Sequence, residues 1–443
     1  MRTGAITLAA LALVACGRDE RAGRTTSERG GAVAVERSAP PRCAPDNGGI
    51  TLPRGFCASV FADSVGSPRH LVVAPNGDVF VALQGARRGD SAAAGVLALR
   101  DADGDGRAEV RERFGPIGMT GIGLFDGHLY QELRGGTIVR WPLAAGSLRP
   151  SSDRPDTVVT GFPGDGHSSR NFAIGRDGSL YVNVGSRTNA CEPQRRQPET
   201  PSVDPCTELE TRAGIWRYDA RRTGQRFSPA ERFATGIRNA VGLAINPADG
   251  RLWSTQHGRD QLAAFWGKRF PLFTEAYSAE NPAELLLQVN RGDDFGWPYC
   301  YESRPLGRLV TAPEYGGDGT SSSRCAGKKR PVATFPGHWA PNALAFYTGQ
   351  AFPAHYRGGA FIAFHGSWNR PEGNHGGYNV VFVPLRDGRA AGEFEVFADG
   401  FAGAEKSPGG ARYRPTGLAQ GPDGSLYVSD DKGGRIWKIV YGR

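Results

Sequence analysis

Apolar residues along this chain fall in short runs separated by glycine-containing turns, with no sustained helical 3.6-residue period. One phrase recurs six times: a turn with glycine, often Asp-Gly or Asn-Gly, leads directly into a hydrophobic strand. It stands at residues 76–81, 126–130, 177–182 and 423–428, with looser copies at 249–253 and 358–363. A glycine is needed there because the backbone between twisted antiparallel strands takes positive φ. Repeated hairpins that cannot bury their faces alone stack into a larger closed object. The six copies predict an all-β chain, a six-bladed β-propeller with four-stranded antiparallel blades.

Upstream of each turn lies an apolar run, such as 71–73 or 241–245, and polar residues precede that run. They are Arg69 and His70, Thr120, His167 with Arg170 and Asn171, Arg238 and Asn239, Asn342, and Arg412 with Arg414. The innermost strands of a propeller surround its channel. Polar groups at equivalent strand starts therefore converge on one mouth.

The formal charge of +8 and pI near 9.2 raise the question of nucleic acid. The basic residues are scattered, however, and no zinc-finger, helix-turn-helix or RNP signature is present, so no nucleic-acid partner is expected. An anionic small molecule at an arginine-rich mouth makes better use of the charge.

Residues 1–16 read as a lipoprotein-type signal: a charged start, a short apolar run, and Leu13-Val14-Ala15-Cys16, which is spelled like a lipobox with Cys16 as the lipidated thiol. Residues 17–42 are charged and rich in small residues, a flexible tether. The propeller domain is expected over 43–443, in an exported, periplasmic, membrane-tethered protein. Six cysteines remain, at 43, 57, 191, 206, 300 and 325. In an exported chain they read as disulfides, with fifteen possible pairings. Pairing of sequence neighbours, Cys43–Cys57, Cys191–Cys206 and Cys300–Cys325, is the most economical.

Residues 101–112 fit a calcium loop. Asp101, Asp103, Asp105 and Glu112 stand at positions 1, 3, 5 and 12, Gly106 at the bend, and Arg107 can offer its carbonyl. Stiffening a loop is its expected role, since no nucleophile or base neighbours it. His167, just before an inner strand, is the side chain best suited to general-base work near neutral pH.

Several segments together resemble the soluble, pyrroloquinoline-quinone (PQQ)-dependent sugar dehydrogenases of the glucose/sorbosone type. They are Gly236-Ile237-Arg238-Asn239-Ala240-Val241-Gly242-Leu243, Phe295-Gly296-Trp297-Pro298, His365-Gly366-Ser367-Trp368-Asn369-Arg370, and Arg412-Tyr413-Arg414 with the 422–430 segment. The match runs from about Leu52 to the C-terminus. The resemblance implies a six-bladed propeller in which His167 takes the proton from the sugar hydroxyl while hydride moves to PQQ. It implies Arg238 beside the reacting carbonyl, Asn239 as a cofactor contact, and Arg412 and Arg414 on the quinone's carboxylates. Backbone carbonyls of Gly258 and Arg259 would hold a calcium, and Trp297 would lie against a sugar face. Electrons would pass to a respiratory acceptor, a quinone or cytochrome c.

The chain departs from the family at four places, one of them Tyr299 after Trp297-Pro298, where a smaller hydroxyl residue is common. The lysine expected around Gly366-Ser367 is missing, with Arg370 or Arg69 as stand-ins. Gly166 precedes the base directly. A glutamine from the first blades has only Gln84 and Gln131 as counterparts. Two other readings stand beside the dehydrogenase. A calcium-dependent sugar lactonase would need a carboxylate and asparagine cage in the channel. A non-catalytic cell-surface binding propeller would have its polar residues dispersed.

Overall fold

The computed structural model describes residues 43–85, 95–194 and 196–442. The signal, Cys16 and the tether of the sequence reading lie outside the described residues. Six antiparallel sheets form the propeller, and their innermost strands are Pro68–Val73, Gly118–Phe125, Phe172–Ile174, Leu243–Ile245, Pro341–Phe346 and Pro415–Gln420. Each lies against the next, and Pro415–Gln420 returns to Pro68–Val73, closing the ring. Every copy of the glycine phrase is the turn from a first to a second strand, with φ of +92° at Gly77, +86° at Gly178 and +80° at Gly424.

The ring is sealed by its two ends. Phe56–Ala62 pairs antiparallel with Ile436–Tyr441, so the first strand of the domain is the outermost strand of the last blade. Apolar clusters fill the spaces between neighbouring blades. Val158, Phe172, Leu180 and Trp216 pack between the second and third, and Trp253, Leu344, Ile362 and Phe364 between the fourth and fifth. Second strands such as Val79–Leu83 and Ala360–Phe364 are buried at every position because a blade covers each face. Three disulfides, Cys43–Cys57, Cys191–Cys206 and Cys300–Cys325, join sequence neighbours as expected.

Antiparallel order fixes which loops share an end. The starts of the innermost strands and the links from second to third strands emerge at one mouth; the glycine turns and the links from third to fourth strands emerge at the other. The acidic loop joins third strand Gly95–Arg100 to fourth strand Val110–Phe114 and so lies away from the mouth. Lys438 bridges it to the last glycine turn, 3.8 Å from Asp101 and 3.1 Å from Asp423. The carboxylates that gather there are Asp101, Asp103, Asp105 and Glu109. Glu112 is a correction to the sequence reading: it sits on the following strand, 3.5 Å from Arg149, because strand pairing begins at Val110 and carries it out of the loop.

Candidate functional site

Interblade hydrogen bonds run around the channel. Arg69 Nε donates to Thr120 Oγ1 (3.3 Å), Asn171 Nδ2 to the Ala240 carbonyl (2.8 Å), and Thr255 Oγ1 to the Pro341 carbonyl (2.8 Å). Asn342 Nδ2 donates to Thr416 Oγ1 (3.3 Å), and Ser429 Oγ to the Arg69 carbonyl (2.5 Å). Between the second and third blades, the buried Glu132 carboxylate accepts from the backbone N–H of Thr120, Gly121 and Arg170. Several of the strand-start polar groups thus hold the blades together. The Arg170 guanidinium instead ties its own loop, donating to the carbonyls of His167 (2.7 Å), Ser169 (3.1 Å) and Pro163.

His167 is half-buried, with Nδ1 2.8 Å from the Ser186 carbonyl. A carbonyl only accepts, so Nδ1 carries the proton in the neutral ring and Nε2 keeps the lone pair. Burial, and then the positive charge of Arg238, bring its pKa down to about 3. Gly166 explains its own presence: at φ +75°, a Cβ there would stand 2.5 Å from the Ser186 carbonyl oxygen and 2.4 Å from Arg187 Cα. Gly185 packs under the same histidine, and a Cβ on it would meet His167 Cβ at 2.6 Å and Asn239 Oδ1 at 2.9 Å. His167 and Asn239 therefore flank one glycine.

Arg238 is 3% exposed and held on four sides. It donates to the Gly258 carbonyl (2.8 Å), the Asn189 carbonyl (3.2 Å), Asn189 Oδ1 (3.1 Å) and Asp260 Oδ2 (3.1 Å). Asn189 belongs to the 185–213 loop that the Cys191–Cys206 disulfide staples, and its Nδ2 returns to the Asp260 carbonyl at 3.0 Å. Asp260, absent from the sequence reading, is the hub. It also accepts from Arg196 Nη2 and Asn369 Nδ2, both at 2.8 Å, and His338 lies 3.8 Å away. Burial opposes its charge, yet Arg238, His338 and Arg196 hold its pKa at about 2. Beneath Gly258, the Glu284 carboxyl accepts the Gly258 N–H at 3.0 Å, and burial pushes it up to about 8.

A second group forms across the fifth, sixth and first blades. Asp431 pairs with Arg69 and lies 2.7 Å from His365 Nε2. Arg414 donates to the carbonyls of His365 (2.9 Å) and Gly366 (2.7 Å), with its guanidinium over the Tyr378 ring. Gly366 is obligatory here, since a Cβ on it would stand 2.3 Å from that ring. His257, bonded to the Pro341 carbonyl at 3.2 Å, is in the fields of both Arg238 and His365 and so stands between the two groups.

Other expected residues are placed differently. Arg412 is exposed, its guanidinium 5.0 Å over the Tyr413 ring. Arg259 is buried in an ion pair with Glu314 (2.5 Å), while the Gly258 carbonyl is engaged by Arg238. Trp297 is 5% exposed, packed with Cys191 and Cys206, its Nε1 bonded to the Asn189 carbonyl, so the protein itself covers the ring expected to meet sugar. Arg370 is no stand-in for the lysine: it is buried on the carbonyls of Ala279, Gly337 and Asn374. Gln131 is fully buried within its blade. Asp260, Asp431, Arg196 and Trp368 were missed although Asp260 follows Gly258 by two residues and Trp368 lies in a quoted segment. Nothing in the spelling says which carboxylate will face which arginine.

A family model described as TrAA12-like matches residues 50–442. The PQQ-dependent pyranose dehydrogenase of Coprinopsis cinerea is 27% identical over 329 residues, 64% of this chain and 41% of that protein. The PQQ-dependent sugar dehydrogenase of Hypocrea jecorina is 24% identical over 310 residues, 64% of each. The matched part thus spans less than two thirds of the length of these relatives. The fold is that of the calcium structure of the Trichoderma reesei AA12 enzyme, with TM-score 0.72, 19% identity, and 92% and 100% of the two chains covered. It is also that of the holo PQQ domain of Coprinopsis cinerea pyranose dehydrogenase, with TM-score 0.68, 22% identity, and 91% and 99% covered. With the family model spanning all six blades, the chain belongs to the TrAA12-like family.

Proposed function

We propose that this protein is a PQQ-dependent oxidoreductase that oxidises an aldose or sugar aldehyde, with His167 as general base. The observation that carries the reading is His167 with its Nδ1 proton committed to Ser186 and its Nε2 lone pair free, beside the anchored Arg238. The donor set fits the cofactor: a planar tricarboxylate needs guanidinium donors, and Arg69, Arg196, Arg238 and Arg414 gather at this mouth. Arg414 uses two of its five N–H groups on backbone carbonyls, which leaves three for a carboxylate. When bound, PQQ supplies a two-electron acceptor for the hydride of the sugar carbon.

His167 Nε2 would take the hydroxyl proton, and the positive charge of Arg238 would favour negative charge developing next to it. Arg414, with Arg412 at the rim, would orient the carboxylates, and Asn239 would contact the cofactor's polar edge. The Gly258 carbonyl, which keeps a second lone pair beside the one Arg238 occupies, and the Arg259 carbonyl would hold calcium, and a second calcium would occupy the loop of Asp101, Asp103, Asp105 and Glu109, with the Arg107 carbonyl. The electron acceptor would be a respiratory quinone or cytochrome c, met in the periplasm by a chain anchored through a lipid on Cys16. Weighing against the lactonase, the mouth carboxylates Asp260 and Asp431 are each claimed by arginines.

Titration of the full-length protein with PQQ, in calcium and in chelator, tests this reading. Saturable calcium-dependent binding, followed by aldose oxidation with an artificial acceptor, is expected. Absence of binding in both conditions overturns it.

A further inference from the structure

Trp368 stands out among the large apolar side chains because it is 52% exposed and lies beside the most densely bonded part of the site. Its neighbours fix its place. Asn369, the next residue, donates to Asp260 Oδ1, and Arg196, which donates to Asp260 Oδ2, lies with its guanidinium 5.5 Å from the Trp368 ring centre. Asp260 in turn holds Arg238. One guanidinium thus separates the indole from the carboxylate that anchors the catalytic arginine. Arg196 covers part of the ring, and about half of the residue's surface stays open to solvent.

Leaving an indole in water at a polar mouth forgoes the stabilisation that a large apolar side chain gains on burial. Trp437, Trp253 and Trp216 are all fully buried between blades, so this chain buries tryptophan wherever a core is offered. A pyranose ring presents a face of C–H groups that covers an indole well, while its rim hydroxyls need donors and acceptors of the kind that ring this mouth. The buried Trp297 has no open face to offer.

Resting on the dehydrogenase reading above, we infer that Trp368 is the aromatic platform that receives the sugar ring. The cation of Arg196 polarises one part of the indole and stiffens it, because the same guanidinium is tied to Asp260. The platform selects cyclic sugars over acyclic polyols, which have no ring face. It orients substrate and takes no part in the proton or hydride transfer.

The test uses the full-length protein and 1,5-anhydroglucitol, a pyranose without the oxidisable anomeric hydroxyl, followed by calorimetry. Wild type is expected to bind it and to ignore sorbitol. Trp368→Ala should weaken binding about tenfold, the loss of one well-placed aromatic contact, and Trp368→Phe should restore most of it. With PQQ, Trp368→Ala should raise KM for aldose by a similar factor and leave kcat unchanged. Equal binding by wild type and Trp368→Ala, or no pyranose binding by wild type, overturns the inference. These outcomes are separable from the quinone titration. A protein that binds PQQ and oxidises aldose with an unchanged KM in Trp368→Ala sinks the platform alone.

Discussion

At His167 the Ser186 carbonyl takes the Nδ1 proton, so the imidazole has one free nitrogen and one orientation. His167→Ala should lower turnover by roughly 10²–10⁴-fold, the usual contribution of a positioned base, and leave PQQ affinity nearly intact. Loss of binding with turnover would make His167 a structural residue. Acid should tell the same story. Burial and Arg238 hold this pKa at about 3, against 6.5 for a free imidazole, so the imidazole stays unprotonated well below pH 6.5. The acidic limb of the kcat profile is then expected far below 6.5. Because the folded pKa is the lower one, the unfolded chain takes up this proton first, and the group's contribution to stability falls as pH drops from 6.5 toward 3. A limb centred near 6.5 would assign the base elsewhere. His167, Arg238 and Arg414 were legible because each precedes an inner strand in a repeated frame. Asp260 and Asp431 were not, because a carboxylate's partner is set by which loops meet, and those partners lie far away in sequence.

Loops, not strands, carry the site, and each is held by a particular device. The 163–169 loop that bears His167 hangs from Arg170, whose backbone N–H in turn rests on Glu132 of the preceding blade. Glu132 has no exposed surface, and its carboxylate serves three backbone N–H groups and Ser169 Oγ. Glu132→Ala should destabilise the fold by about 3–5 kcal/mol, since it strands these donors and leaves Arg170 buried without its counter-charge. Thermal unfolding reads this directly; an unchanged Tm would show that water replaces the carboxylate. The pattern announced the strands and turns themselves, because positive φ at Gly77, Gly178 or Gly424 leaves a local signature. The family resemblance put Trp297 against a sugar face, but the 185–213 loop and its disulfide bury the ring. Residue spacing misled at Glu112, where twelve positions fitted a calcium loop but strand pairing claimed the last one.

The whole ring depends on one seam, where Phe56–Ala62 closes the last blade. The acidic loop of the first blade grips that strand: Ala108 N–H donates to the Phe61 carbonyl (2.8 Å), and Ser59 Oγ to the Gly106 carbonyl (2.7 Å). Calcium in this loop would stiffen the seam from the end opposite the mouth. Chelator should therefore lower Tm of the wild-type protein, and Asp101→Asn should remove most of that dependence while PQQ binding persists. A Tm indifferent to chelator would leave the loop as a plain acidic turn. The calcium-dependent Tm and the calcium-dependent quinone affinity are separate readouts because the two candidate sites lie at opposite ends of the channel.

The number of blades, the set of cysteines available for pairing and the strand starts that open onto one mouth were legible in the sequence alone. These are properties of local spacing: glycine turns, alternating strands and near neighbours repeat their physics wherever they occur. The tertiary structure decided which mouth residues bond to one another, that Asp260 and not a nearer acid anchors Arg238, and that Trp368 and not Trp297 faces water. Those choices rest on contacts between loops of different blades, such as Asn369 with Asp260 across 109 residues. The distances that settle them exist only once the ring has closed.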